Sequence, residues 1–147
     1  MKVSLRDWLR NGWLIEHQTS SQEIAELLGL ADRDLAECQI TGLSPDWRLN
    51  IAYNAALQAA TAALAAAGYR AARESHHYRV IQSLAHTIAA DASLIVQLDR
   101  FRKKRNIGGY GRAGTTSDQE VTEMLVLARK LRNDVEEWLS TNHPELL

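Results

Sequence analysis

Ser44-Pro45-Asp46-Trp47-Arg48 leads into Leu49-Asn50-Ile51-Ala52-Tyr53-Asn54-Ala55-Ala56-Leu57-Gln58-Ala59-Ala60-Thr61-Ala62-Ala63-Leu64-Ala65-Ala66-Ala67, and Gly68 closes the run. A capping hydroxyl, a proline in the first turn and an acid at the positive end predict a helix over 45–67 that stops at the glycine. Twelve of the twenty-one residues from Ala52 to Ala72 are alanine, the best helix former and the one that lets neighbouring backbones approach most closely. Tyr53, Leu57 and Leu64 fall near one stripe. A helix of this composition is a core element, and Tyr53 and Asn54 read as polar groups satisfied within it.

The flanking segments carry the same kind of signal. Ser4 with Asp7 three residues on opens a short helix over 4–11, with Gly12 as its stop. Ser20-Ser21-Gln22-Glu23 is a second capping box. Ile24, Leu27, Leu28, Ala31, Leu35 and Cys38 follow at amphipathic spacing and predict a helix over 20–40. Residues 69–75 read as a polar loop. Ile81, Leu84, Ile88, Ile95 and Leu98 then predict one long helix over 76–106, broken by Gly108-Gly109. Ser117-Asp118-Gln119-Glu120 opens the last helix, 117–140, whose stripe is Val121, Met124, Leu125, Ala128, Leu131, Val135 and Trp138. Pro144 is expected to end the ordered chain.

Four long helices with short loops, each with one buried stripe, predict an all-α fold. The expected form is an antiparallel four-helix up-down bundle with a short extra N-terminal helix, in a single domain over 1–147. The chain, at 147 residues with 46% hydrophobic and 24% charged residues, is long and apolar enough to bury a core unaided. One cysteine, Cys38, leaves no internal disulfide or cysteine zinc cluster. No apolar run approaches the ~20 residues of a membrane span, and the N-terminus lacks a signal-peptide pattern, so a cytoplasmic location is expected. His17, His76, His77, His86 and His143 include no i,i+4 pair, and no His-Glu-x-x-His, phosphate-cradling loop or nucleophile elbow occurs; Gly108-Gly109-Tyr110-Gly111-Arg112 is glycine-rich, but no strand precedes it as a dinucleotide fingerprint requires. No metal and no cofactor are expected.

The net charge of −1 hides a segregation. Between Arg100 and Ser117 stand Arg100, Arg102, Lys103, Lys104, Arg105 and Arg112 with no acid, while the rest of the chain has eleven basic and eighteen acidic residues. A solvated helix end favours some cations, but six exceed what the macrodipole requires. Residues 20–39 also mimic a helix-turn-helix. Its second helix would be Asp32-Arg33-Asp34-Leu35-Ala36-Glu37, three acids to one base, which phosphates would repel.

The basic segment reads Asp99-Arg100-Phe101-Arg102-Lys103-Lys104-Arg105-Asn106-Ile107-Gly108-Gly109-Tyr110. On a helix, Arg102 lies one turn from Asp99 and can pair with it. Arg105 and Asn106 sit at the helix end, and Tyr110 falls where the Gly-Gly turn can return it toward Arg105. Arginine, amide and phenol supply a bidentate phosphate grip, a two-way hydrogen bonder and a stacking ring, the parts needed to hold a nucleotide or an RNA backbone. The plainer reading is also open: Asn106 caps the helix, Gly108-Gly109 terminates it and Tyr110 covers the bundle end.

Arg105-Asn106-Ile107-Gly108-Gly109-Tyr110 resembles the signature of the HEPN superfamily, small helical domains whose motif is Arg, a polar residue, three variable residues and His. The wider resemblance, from about residue 24 to 138, includes Leu43-Ser44-Pro45-Asp46-Trp47-Arg48, Ala52-Tyr53-Asn54-Ala55-Ala56-Leu57, Gly68-Tyr69-Arg70 and Arg102-Lys103-Lys104-Arg105-Asn106. It implies a homodimer in which two motifs line one cleft, and metal-independent RNA cleavage of the kind found in toxins neutralised by a nucleotidyltransferase-like antitoxin. By that resemblance Arg105 and Tyr110 take the catalytic positions, and Arg102, Lys103, Lys104 and Asn106 bind the substrate. The departure is Tyr110, which stands where the family has His. A phenol titrates near ~10 against ~6.5 for imidazole, so it is a poor general base unless neighbouring cations lower it. The resemblance therefore implies RNA or nucleotide binding first and cleavage second. A non-enzymatic module that docks an acidic protein surface is the competing expectation.

Overall fold

A computed structural model of the chain describes residues 4–108 and 116–147, and for 105–108 the backbone alone. Six helices and one two-stranded ribbon lie within these residues. In chain order they are α1 (Leu5–Arg10), β1 (Leu14–Glu16), α2 (Ser21–Glu37), α3 (Pro45–Ala66), β2 (Tyr69–Ala71), α4 (His76–Ser83), α5 (Ala92–Gly108) and α6 (Asp118–Asn142). The protein is mostly helical, and none of the described helices is long and apolar enough to cross a membrane.

α3 starts and stops where its sequence predicts. Ser44 Oγ accepts the Trp47 N–H, Pro45 occupies the first turn, and Gly68 turns the chain at φ +101°, a conformation that favours glycine. Leu49, Ala52, Tyr53, Ala55, Ala56, Ala59, Ala60 and Ala62 through Ala65 are buried, so the helix is covered nearly all round. Its main neighbours are α2 and α6, with α4, α5 and β2 also in contact. The small methyl side chains let these helices converge on one axis. α2 turns Ile24, Leu28, Ala31 and Leu35 inward, and α6 turns Val121, Met124, Leu125, Ala128, Leu131, Val135 and Leu139. Across the outside, the Arg132 guanidinium grips both Asp32 oxygens at 2.7 and 3.0 Å and also contacts Glu136, tying α6 to α2.

Several expectations need correction. The single helix expected over 76–106 is two helices. α4 ends at Ser83, Ala90 N–H returns to the Leu84 carbonyl at 3.1 Å, Ala89 takes a left-handed φ of +55°, and Asp91 Oδ1 accepts the Leu94 N–H at 2.8 Å as α5 begins. The apolar spacing runs on across this break because both helices face the same core. Only the Asp91 carboxylate, three residues before Leu94, marks the new start. The expected polar loop at 69–75 begins with β2, which pairs antiparallel with β1 in the register Leu14 with Ala71, Ile15 with Arg70 and Glu16 with Tyr69. His17 N–H to Gly68 O and Ala72 N–H to Trp13 O, both 2.9 Å, extend the ribbon at each end. Strands of three residues are too short for a period-2 pattern to register. Beyond Pro144 the chain continues through a 3-10 turn, Pro144–Leu146, and Leu146 rests on the core.

The helix-turn-helix reading fails on geometry. α2 is continuous from Ser21 to Glu37 through Gly29, with no turn to separate two helices. The Ser20 box is also only half formed. Ser20 Oγ accepts the Glu23 N–H, but the Glu23 carboxylate turns away to His17 and Thr19. The boxes at Ser4 with Asp7 and at Ser117 with Glu120 are complete.

Candidate nucleic-acid interface

α5 carries its basic residues on a hydrophobic anchor. Leu94, Ile95, Leu98 and Phe101 are buried, Phe101 with 1% of its surface exposed, and this fixes which side of the helix faces solvent. Asp99 then organises the next turn. It accepts the Arg102 Nε–H at 2.7 Å and lies 3.4 Å from Lys103 Nζ, so the pairing expected for Arg102 is present. Asp99 and Arg102 are largely covered, whereas the Lys103 side chain is 67% exposed.

The positive patch is less open than the chain order suggests. Lys104 Nζ meets Glu120 Oε2 at 2.9 Å, and an Arg100 Nη meets Glu123 Oε2 at 3.3 Å. Burial pushes the Glu120 carboxyl upward. The Lys104 hydrogen bond and the Ser117 backbone N–H outweigh that push and hold it below its ordinary range. The acids that answer these cations stand one residue before the basic run (Asp99) and in the opening turns of α6 (Glu120, Glu123). A charge count over 100–117 passes between them. The Arg100–Glu123 pair is exposed on both sides and worth only about 0.2–1 kcal/mol, so a phosphate can compete for that cation.

Beside Arg102 lies a group that the sequence reading did not single out. The Arg102 guanidinium sits 5.5 Å from the Tyr78 ring centroid, and Arg79 sits 5.3 Å from the same ring. The Arg79 guanidinium carbon lies over the Trp13 ring, 3.7 Å from its centroid, and 5.8 Å from that of Trp8, which in turn meets Trp13 edge-on at 6.0 Å. Among the described residues Arg79 has no carboxylate partner. A guanidinium stacked on indole keeps its in-plane N–H donors pointing outward, which suits a phosphate oxygen or the edge of a base. No local signal marks this cluster, because Trp8, Trp13, Tyr78 and Arg102 come from α1, the turn before β1, α4 and α5.

Of the six expected site residues, Arg102, Lys103 and Lys104 are brought to one end of α5. The side chains of Arg105 and Asn106, and Tyr110 altogether, lie outside the described residues. Among the described residues no three His, Cys, Asp or Glu side chains gather as a metal-binding group. No family model matches the chain, and no curated protein matches it in sequence.

Proposed function

We propose that this protein is a HEPN-like RNA-binding domain that grips single-stranded RNA through the end of α5. Arg102, Lys103, Lys104, Arg105 and Asn106 contact phosphates, and Tyr110 stands at the position that abstracts a proton in cleaving relatives. In this reading the helices form an antiparallel four-helix up-down bundle, with α4 and α5 together as one arm. Two copies pair so that their α5 ends share a groove. The protein works in the cytoplasm within a toxin–antitoxin or stress module, opposed by a nucleotidyltransferase-like antitoxin. Cleavage, where it occurs, runs through Arg105 and Tyr110.

The observation that carries the reading is the Trp13–Arg79–Tyr78–Arg102 stack next to the basic helix end. Asp99 holds Arg102 by Nε and leaves its terminal nitrogens to bind phosphate. Rings and guanidinium planes offer stacking faces to unpaired bases.

Fluorescence anisotropy with a single-stranded RNA oligonucleotide, in the presence of chelator, tests it. Binding should weaken with salt, with a logarithmic slope of about −0.7 per phosphate contacted. The Arg79→Ala/Arg102→Ala double variant should weaken it at least about tenfold, the loss of two charge-assisted contacts. Undiminished binding in that variant and in Arg105→Ala removes this site. Incubation with total RNA plus chelator, comparing Arg105→Ala and Tyr110→Phe, reads cleavage separately. The second reading, a module that docks an acidic protein surface, is favoured by one fact: Arg100, Arg102, Lys103 and Lys104 already face carboxylates. Salt-sensitive binding to a protein, with none to RNA, would select it.

A further inference from the structure

A trough at the opposite end of α5 shares no residue with the basic end and stands independently of the RNA reading. It lies between the turn joining α4 to α5, the first turns of α5 and the second half of α6, with a volume of about 620 Å³. Asp91, on its rim, stands twelve residues before Lys103, about 18 Å along the helix axis. The wall is apolar: Leu94 is buried, and Ile88, Leu127 and Trp138 are only half-buried. Trp138 belongs to the stripe of α6 that its spacing turns inward, yet packing leaves it half-covered, with the His143 ring 4.9 Å away. The apolar surface continues beyond the trough. Arg100 pairs with Glu123, and Lys104 with Glu120, so α5 and α6 run in opposite directions along one seam. Val96 lies one turn before Arg100 and Val126 one turn after Glu123, which puts both on that seam, 65% and 59% exposed.

The charges on the rim have one sign. Asp91, Asp134 and Glu137 line the trough against a single cation, Lys130. That ammonium is already held, its Nζ 2.7 Å from Asp134 Oδ2. This hydrogen bond and the Asp134 charge, and last the Asp91 charge, push the Lys130 pKa up against a loss by desolvation. Asp91 therefore acts on Lys130 from the α5 side of the trough, while its Oδ1 accepts the Leu94 N–H at 2.8 Å. Glu137 is exposed and has no ion pair among the described residues. Three carboxylates against one ammonium leave two negative charges without a cation.

We infer that this trough docks a basic amphipathic helix of a partner protein, its apolar stripe on Leu94, Leu127 and Trp138 and its cations over Asp91 and Glu137. Two helices packed side by side leave a groove between them, and a third helix fills it with apolar residues at i, i+3 or i+4, and i+7. The same helix places lysines or arginines beside that stripe, where the rim carboxylates stand. An apolar centre within a charged rim is the layout of an interface, and a half-covered indole is the kind of group that contributes most when a partner covers it. The rim decides the sign of the partner, because an acidic helix or a nucleic acid meets two uncompensated negative charges there.

Two-dimensional ¹H–¹⁵N spectra of the full chain, titrated with a synthetic amphipathic helix of leucine and lysine, test this directly. A peptide of the same pattern with glutamate in place of lysine is the control. The Leu/Lys peptide should shift the amides of 88–97 and 127–142, and the Leu/Glu peptide should not bind. Asp91→Asn with Glu137→Gln removes both charges and keeps the α5 cap, since asparagine also accepts the Leu94 N–H. It should weaken the Leu/Lys peptide about tenfold, the scale of two rim ion pairs. Ser93 lines the trough from an exposed position, so changes there leave the core intact. Ser93→Glu should tighten binding and Ser93→Arg should weaken it, each by about threefold. Shifts that fall elsewhere, equal binding of the Leu/Glu peptide, or an affinity untouched by these charge changes overturns the proposal. Concentration-dependent shifts of the same amides without peptide also overturn it, assigning the trough to a second copy of the chain. RNA binding at the α5 end should be unchanged in these variants, and a parallel loss would overturn the claim of a separate surface.

Discussion

α3 and α5 are helices of similar kind and opposite material. From Leu49 to Ala66, α3 contains no charged residue, and its buried positions run around most of its circumference. From Asp99 to Arg105, α5 is charged at every position but Phe101. α3 can be described without naming its neighbours, because burial on every side asks only for small apolar groups. α5 cannot. Its charges acquire meaning from the carboxylates of α6 and from the ring of Tyr78, none of which lies in its own sequence. The difference teaches that composition identifies a core helix directly, whereas a charged helix is specified by whatever stands opposite it.

The contrast can be attacked first where it is weakest, at the one apolar residue among the charges. Phe101→Ala should cost about 3–5 kcal/mol in urea unfolding, since it empties a fully buried aromatic site. A loss comparable to a surface change would mean that α5 is not anchored to the core. Ala60→Leu in α3, at a position with no exposed surface, should cost about 1–3 kcal/mol through overpacking. A neutral result would show room around α3 that the close approach of α2 and α6 denies.

Ala89→Gly at the break between α4 and α5 should stabilise by about 0.5–1 kcal/mol, because glycine adopts the left-handed conformation without the Cβ clash. A destabilised variant would indicate that the native break does not hold Ala89 in that conformation. The smallest effect concerns pH. The Glu120 carboxyl titrates below 4.5 when folded, so its contribution is present above that value and is lost as pH falls through the folded pKa. Lys104→Ala should therefore destabilise slightly at pH 7 and not at pH 2, as read by paired thermal melts. A difference that persists at low pH would place the role of Lys104 in packing rather than charge.

Much of the fold was legible because its signals are local. The Ser4, Ser44 and Ser117 caps and the stripes of α2, α3 and α6 each lie within a few turns of chain. What escaped was non-local or brief. The β1–β2 ribbon joins residues more than fifty positions apart through three-residue strands. The Ala89 break hides inside an unbroken apolar period. At the candidate interface, Arg102 with Asp99 was visible as an i,i+3 pair, but the acids opposite Lys104 and Arg100 arrive on α6. The Trp13–Arg79–Tyr78–Arg102 stack is assembled from three separate elements, the turn before β1, α4 and α5. The Glu23 carboxylate shows the same limit at short range: its spacing predicted a return to Ser20, and a folded-back His17 took it instead.

Capping hydroxyls, helical spacing and a wealth of alanine were enough to establish a mostly helical chain with α3 at its centre, because those preferences act between residues a turn or so apart. Which cations keep a free face, which rings stack on them and where a cavity opens came from packing alone. Those properties depend on distances between segments far apart in the chain, and no local preference encodes such distances.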